Sequence, residues 1–113
     1  MTVRRLEKAE WGPFFNHLSK TLLGAQVEID VTSLAVGAKV QANWVPLIGL
    51  VYDPKDDVIE VALEGLDHLI RAPRDIHIEE GNGLLASIDI LDAEGARQNI
   101  KLKEPLLLPP PQP

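Results

Sequence analysis

Six side chains that can carry or move charge crowd into one short stretch of DVIEVALEGLDHLIRAPRDIHIEE (57–80): Asp67, His68, Arg71, Arg74, Asp75 and His77. A histidine ionises near neutral pH and serves as a general base or a ligand when an acid orients it. Asp67 or Asp75 would orient His68 or His77. Arg71 and Arg74 on one loop would clamp a carboxylate or phosphate. On this reading the 65–77 crossover is the pocket of a small anionic-ligand-binding domain or enzyme, with His68 as base. A plainer reading competes with it. Gly65 ends a strand, Leu66, Leu69 and Ile70 plug the end of a barrel, and Pro73 stiffens a crossover. The Asp and Arg side chains then pair with each other and with loop backbone. No known catalytic spacing accompanies the cluster, and ion-pair networks are common in loops, so the plainer reading is the expectation. It makes His77 an exposed strand residue beside Glu79, and His68 a partly buried structural histidine.

Other templates for chemistry are weaker. DPKDD (53–57) lacks the spacing of a calcium loop, and His17, His68 and His77 share no i, i+3 or i+4 relation, so no metal is expected. No nucleophile elbow, P-loop or dinucleotide fingerprint occurs, and no cofactor is expected. Strand alternation sends Glu28, Asp30, Glu60, Glu64, Glu79 and Asp89 outward. That face is either a solvated surface or a docking face for a basic partner. Trp44, Pro46 and Tyr52, around a bend, are the candidates for an apolar contact patch, with Trp44 favoured as core. Pro110 and Pro113 form a P-x-x-P pair, read as spacer rather than ligand.

The composition narrows the field. The chain has 113 residues and no cysteine, which removes disulfides and thiolate chemistry. The formal charge of −6 is repelled by phosphate backbones, so nucleic acid is not an expected partner. The longest nearly apolar run, WVPLIGLVY (44–52), is broken by a proline and a glycine and falls far short of the roughly 20 residues of a membrane helix. MTVRRLEKAEWG has no apolar core of a secretory signal. The expected setting is the cytoplasm, away from membranes.

Elements must position these residues. Trp11, Phe14, Phe15, Leu18 and Leu22 form one stripe at helical period, closed by Gly24. Beyond Gly24 the pattern alternates like strands: 25–31, a long 40–52 interrupted at Pro46 and Gly49, 58–64, 75–80, 84–92 and 96–103. The expectation is a single α+β domain over 1–104. An N-terminal helix packs on a five- to six-stranded, mostly antiparallel sheet or small partly open barrel, in the element order of SH3-like and Sm-like barrels. Residues 105–113 form a proline-rich tail expected not to continue the sheet.

LEKAEW (6–11), W-x-P-L-x-G (44–49) with YDPKDD (52–57), VALEGLDHLI-x-x-P (61–73) and the closing KEPLLLP (103–109) occur together. The combination resembles a family of small bacterial proteins catalogued as a domain of unknown function, over about residues 3 to 109. The resemblance implies a compact single-domain bacterial protein and carries no activity or catalytic residue. The functional expectation is a non-catalytic module for a protein partner or for self-association as a homo-oligomer.

Overall fold

The computed structural model describes residues 2–35 and 37–107, the last three by backbone alone. A short strand β1 (Thr2–Arg5) leads into the helix α1 (Lys8–Thr21). Strands β2 (Gln26–Ser33), β3 (Gly37–Asp53), β4 (Val58–Leu63), β5 (Leu66–Arg71), β6 (Pro73–Gly81), β7 (Leu84–Asp92) and β8 (Arg97–Leu107) follow. All eight strands join one open sheet in the order β1-β6-β7-β8-β2-β3-β4-β5, and every neighbouring pair is antiparallel.

The helix forms where the stripe predicts. The backbone N–H of Glu7 donates to Glu10 Oε1 at 2.9 Å, which satisfies one of the orphan donors at a helix start. Trp11, Phe15, Leu18 and Leu22 are all buried, with Phe14 on the margin. Each such large apolar side chain contributes about 1.5–3 kcal/mol when removed from water.

β3 organises the rest. Its first part pairs with β2 through Pro46, and its second, from Leu47, pairs with β4. The strand therefore serves two halves of one curled sheet. Where β2 ends, α1 takes its place beside β3, and Ser19 Oγ accepts from the Leu50 N–H at 3.2 Å. The helix thus covers an edge that would otherwise expose an unpaired donor. Val27, Ile29, Ile76, Ile78, Ile88, Ile90 and Ile100 from one half meet Leu47, Leu50, Ile59, Val61, Leu63 and Ile70 from the other in a single core.

Four expectations need correction. The strands number eight among the described residues rather than five or six, and the sheet stays open. A strand precedes the helix, so the SH3/Sm order of elements is not kept. β1 is four exposed residues with no alternation to read, and it exists by pairing with β6. The 65–77 segment is not a loop: β5 lies within it, joined to β6 by Ala72 alone. Ala72 has φ +51°; its N–H donates to Asp57 O, and its carbonyl accepts from Ala93 N–H. Last, β8 does not stop at Lys103. Its backbone runs on to pair Leu106 with Leu85 and Leu107 with Leu84, past Pro105, which falls in a register offset where a missing donor is tolerated. Pro110 and Pro113 lie outside the described residues.

Candidate functional site

The residues of the charged cluster do not converge. His68 and Ile70 point inward from β5, and Ile70 is fully buried, while Asp67, Leu69 and Arg71 point outward and are exposed. His68 Nε2 lies 2.5 Å from Gln98 Oε1 on β8, and Gln98 Nε2 donates to Asp92 Oδ2 at 3.2 Å. Asp92 Oδ1 in turn accepts from the backbone N–H of Glu94 and of Ala96, holding the β7–β8 turn. His68 is therefore engaged in a side-chain chain that ties β5 to a turn. Arg71 and Arg74 are exposed on different strands, and Asp75 is paired with Arg5 at 3.0 Å. His77 lies on the outward face of β6, between Arg5 and Asp89 in the register.

Trp44, Pro46 and Tyr52 do not form one patch. Tyr52 faces the helix, its ring 5.2 Å from Trp11 in an edge-on arrangement, and its hydroxyl donates to Asp57 Oδ1 at 2.9 Å. Burial first, and this hydrogen bond second, push its phenol above the ordinary value near 10. Pro46 is half-buried opposite Gln26. Trp44 is not core: it is half-buried and lines a groove on the opposite face of the sheet.

That groove is the candidate site. The strand register stacks the outward side chains of β1, β6, β7, β8 and β2 into transverse rows. One row reads Val3, Glu79, Ser87, Lys101, Glu28. The next reads Arg5, His77, Asp89, Asn99, Asp30. A third holds Asp75, Leu91, Arg97 and Thr32. Two adjoining depressions of about 590 and 460 Å³ run over these rows and share Glu79, Ser87, Asp89, Arg97 and Asn99.

The shorter ion pairs run diagonally between rows, within reach of long side chains, and one runs along a row between Lys101 and Glu28. Arg97 pairs with Asp89. Lys101 Nζ lies 2.9 Å from Asp30 and 3.8 Å from Glu28, and its hydrogen bond to Asp30, then that carboxylate's charge, hold it above the usual lysine range. Glu79 accepts only from the Ser87 hydroxyl, at 3.3 Å, and has no ion pair among the described residues.

Trp44 closes the groove at the β3 side. Val27 pairs with Val45 and Ile29 with Ala42, so Asn43 and Trp44 together oppose Glu28 in a bulge. Trp44 takes φ +53° there. A left-handed backbone at a bulky residue costs of order 1–3 kcal/mol and persists only where the surrounding ladder imposes it.

Glu28, Asp30, Glu79 and Asp89 were readable as outward residues. Ser87, Arg97, Asn99 and Lys101 were not singled out, although the alternation of ARQNIKLK around the inward Ile100 and Leu102 carries the signal for three of them. Among the described residues no group of three or more His, Asp or Glu side chains is placed to hold a metal ion. None of their helices is long and apolar enough to cross a membrane.

Comparison with known proteins gives relatives without an activity. A family model described as a family of unknown function, DUF5335, matches residues 2–111. An uncharacterized protein of Aquifex aeolicus (strain VF5) is 38% identical over 110 residues, which covers 96% of this chain and 99% of that relative. No solved structure matches.

Proposed function

The chain belongs to DUF5335, a family of unknown function, and from that premise we propose that it is a non-catalytic, cytoplasmic interaction module that receives a protein partner on the outward face of β6, β7, β8 and β2. The observation that carries the proposal is the continuous groove over the transverse rows, bounded by Trp44 at one side and Val3 at the other. Small-molecule sites are usually enclosed and mostly apolar. This one is shallow, open and spread across several strands, with charged side chains set among apolar surface, the form of a macromolecular contact. Three groups suited to proton transfer or anion capture are already committed, His68 to Gln98, Lys101 to Asp30 and Arg97 to Asp89, while His77 also lines the groove.

Site-specific photocrosslinking tests the proposal. A benzophenone amino acid at Asn99, half-buried at the centre of the groove, is compared with one at Asp56, in the exposed β3–β4 turn. Crosslinked protein in native cells from position 99 and not from position 56 is the expected result. A second copy of the chain in that product makes the module self-associating. No product from position 99, or the same products from both positions, overturns the proposal.

A further inference from the structure

We infer that the groove takes an extended, basic segment of its partner, with Glu79 receiving one cationic side chain and Trp44 stacking against another. This rests on the interaction reading above and specifies its chemistry.

The charge on the face decides the sign of the ligand. Glu28, Asp30, Asp75, Glu79 and Asp89 stand against Arg5, Arg97 and Lys101, so carboxylates are in excess. All three cations are already paired. An anionic ligand would have to break those pairs and then meet the carboxylates left behind. A cationic ligand breaks no ion pair at Glu79, which among the described residues is the carboxylate of this face without one. Beside Glu79, Val3 is 68% exposed and offers an apolar shelf for the methylene stem of a lysine or arginine.

The aromatic end complements this. An arginine or lysine over a tryptophan face is favourable by roughly 0.5–1 kcal/mol at an exposed site. Trp44 is placed for it by the bulge opposite Glu28, whose carboxylate adds attraction. Glu79 on β6 and Trp44 on β3 are separated by four strand spacings, which is about 19 Å at ~4.8 Å each. An extended chain covers that span with about six residues at ~3.3 Å per residue. The ligand is therefore a short extended stretch with basic side chains toward its two ends, rather than a single cation.

Binding of a capped hexa-arginine peptide, followed by calorimetry and by tryptophan fluorescence, tests the inference. Trp11 is buried, so Trp44 carries the spectral response. One peptide should bind per chain, and more weakly as salt rises, because exposed charges are screened. Glu79→Gln and Trp44→Asn should each weaken binding by roughly threefold or more. Asparagine tolerates the left-handed backbone, so that variant removes the ring while a melting curve confirms the fold. Glu60→Gln, an exposed carboxylate on β4, should leave affinity unchanged. Equal weakening by Glu60→Gln would mean unspecific charge attraction and overturn the inference. So would an absence of hexa-arginine binding, or indifference to both groove variants. Crosslinking at Asn99 that persists while the peptide fails rejects only the basic ligand. Loss of both rejects the interaction reading as well.

Discussion

His68 on β5 and Gln98 on β8 meet side chain to side chain, Nε2 against Oε1, although three strands separate theirs in the sheet. The contact exists because the sheet curls until its β5 edge returns over the middle of the other half. It closes the fold without a backbone ladder, and it passes through Gln98 to Asp92 and the β7–β8 turn.

That chain predicts energetic coupling. Gln98 is buried, so removing it leaves His68 Nε2 and Asp92 Oδ2 without their partner. Gln98→Ala should destabilise by about 1–3 kcal/mol. A double-mutant cycle with His68→Ala, read by chemical denaturation, should give a coupling of at least about 0.5 kcal/mol. Strict additivity would show that the two residues do not act together.

Tyr52 predicts an alkaline transition. Its folded-state pKa lies above the ordinary value near 10, so the folded state holds the phenolic proton more tightly than the unfolded chain does. The resulting stability is fully present below the unfolded value and is lost as pH rises through the folded one. Tyr52→Phe should remove this alkaline loss and cost roughly 1 kcal/mol at neutral pH through the missing bond to Asp57. Tyr52 is the single tyrosine in the chain, so its ultraviolet titration reads one group. An unshifted titration curve would reject the assignment.

Ser19 predicts how far α1 secures the edge of β3. Ser19→Ala leaves the part-buried Leu50 N–H unsatisfied and should cost about 1–3 kcal/mol. Amide exchange at Leu50 should accelerate in the variant. Unchanged stability and exchange would mean that water serves the donor equally well.

Two glycines should respond differently. Gly65 sits at φ +80°, where an L side chain is strained, so Gly65→Ala should destabilise by about 1 kcal/mol. At Gly49 an added Cβ would meet Ser19 Oγ at 3.7 Å and Ala62 Cβ at 3.9 Å, both ordinary contacts. Gly49→Ala should be tolerated within about 1 kcal/mol. Thermal melts decide both, and a severe loss at Gly49 would show that the bulge beside it needs glycine.

The residues determined by themselves what depends on near neighbours. The helical stripe from Trp11 to Leu22 is a local period, and it is buried as read. Alternation in 25–31 and 58–64, and in 84–92 from Ile88 onward, sorted inward from outward side chains without knowledge of pairing. Ala86, expected inward, instead lines the groove, and Leu85 is buried in its place, where the ladder slips. The quoted motifs, taken together, also pointed to the family that the chain belongs to. Tertiary structure decided whatever depends on distant partners. β1 has no pattern of its own and exists through β6. β5 could not be told from a loop because Leu69, apolar on the outward face beside Ile70, breaks its alternation. Glu79, Ser87, Lys101 and Glu28 became one row only through a strand order that sequence position does not contain. Trp44 looked like core. Its left-handed backbone and its place on the groove come from a two-against-one mismatch with β2, which no local propensity favours and only the paired ladder can impose.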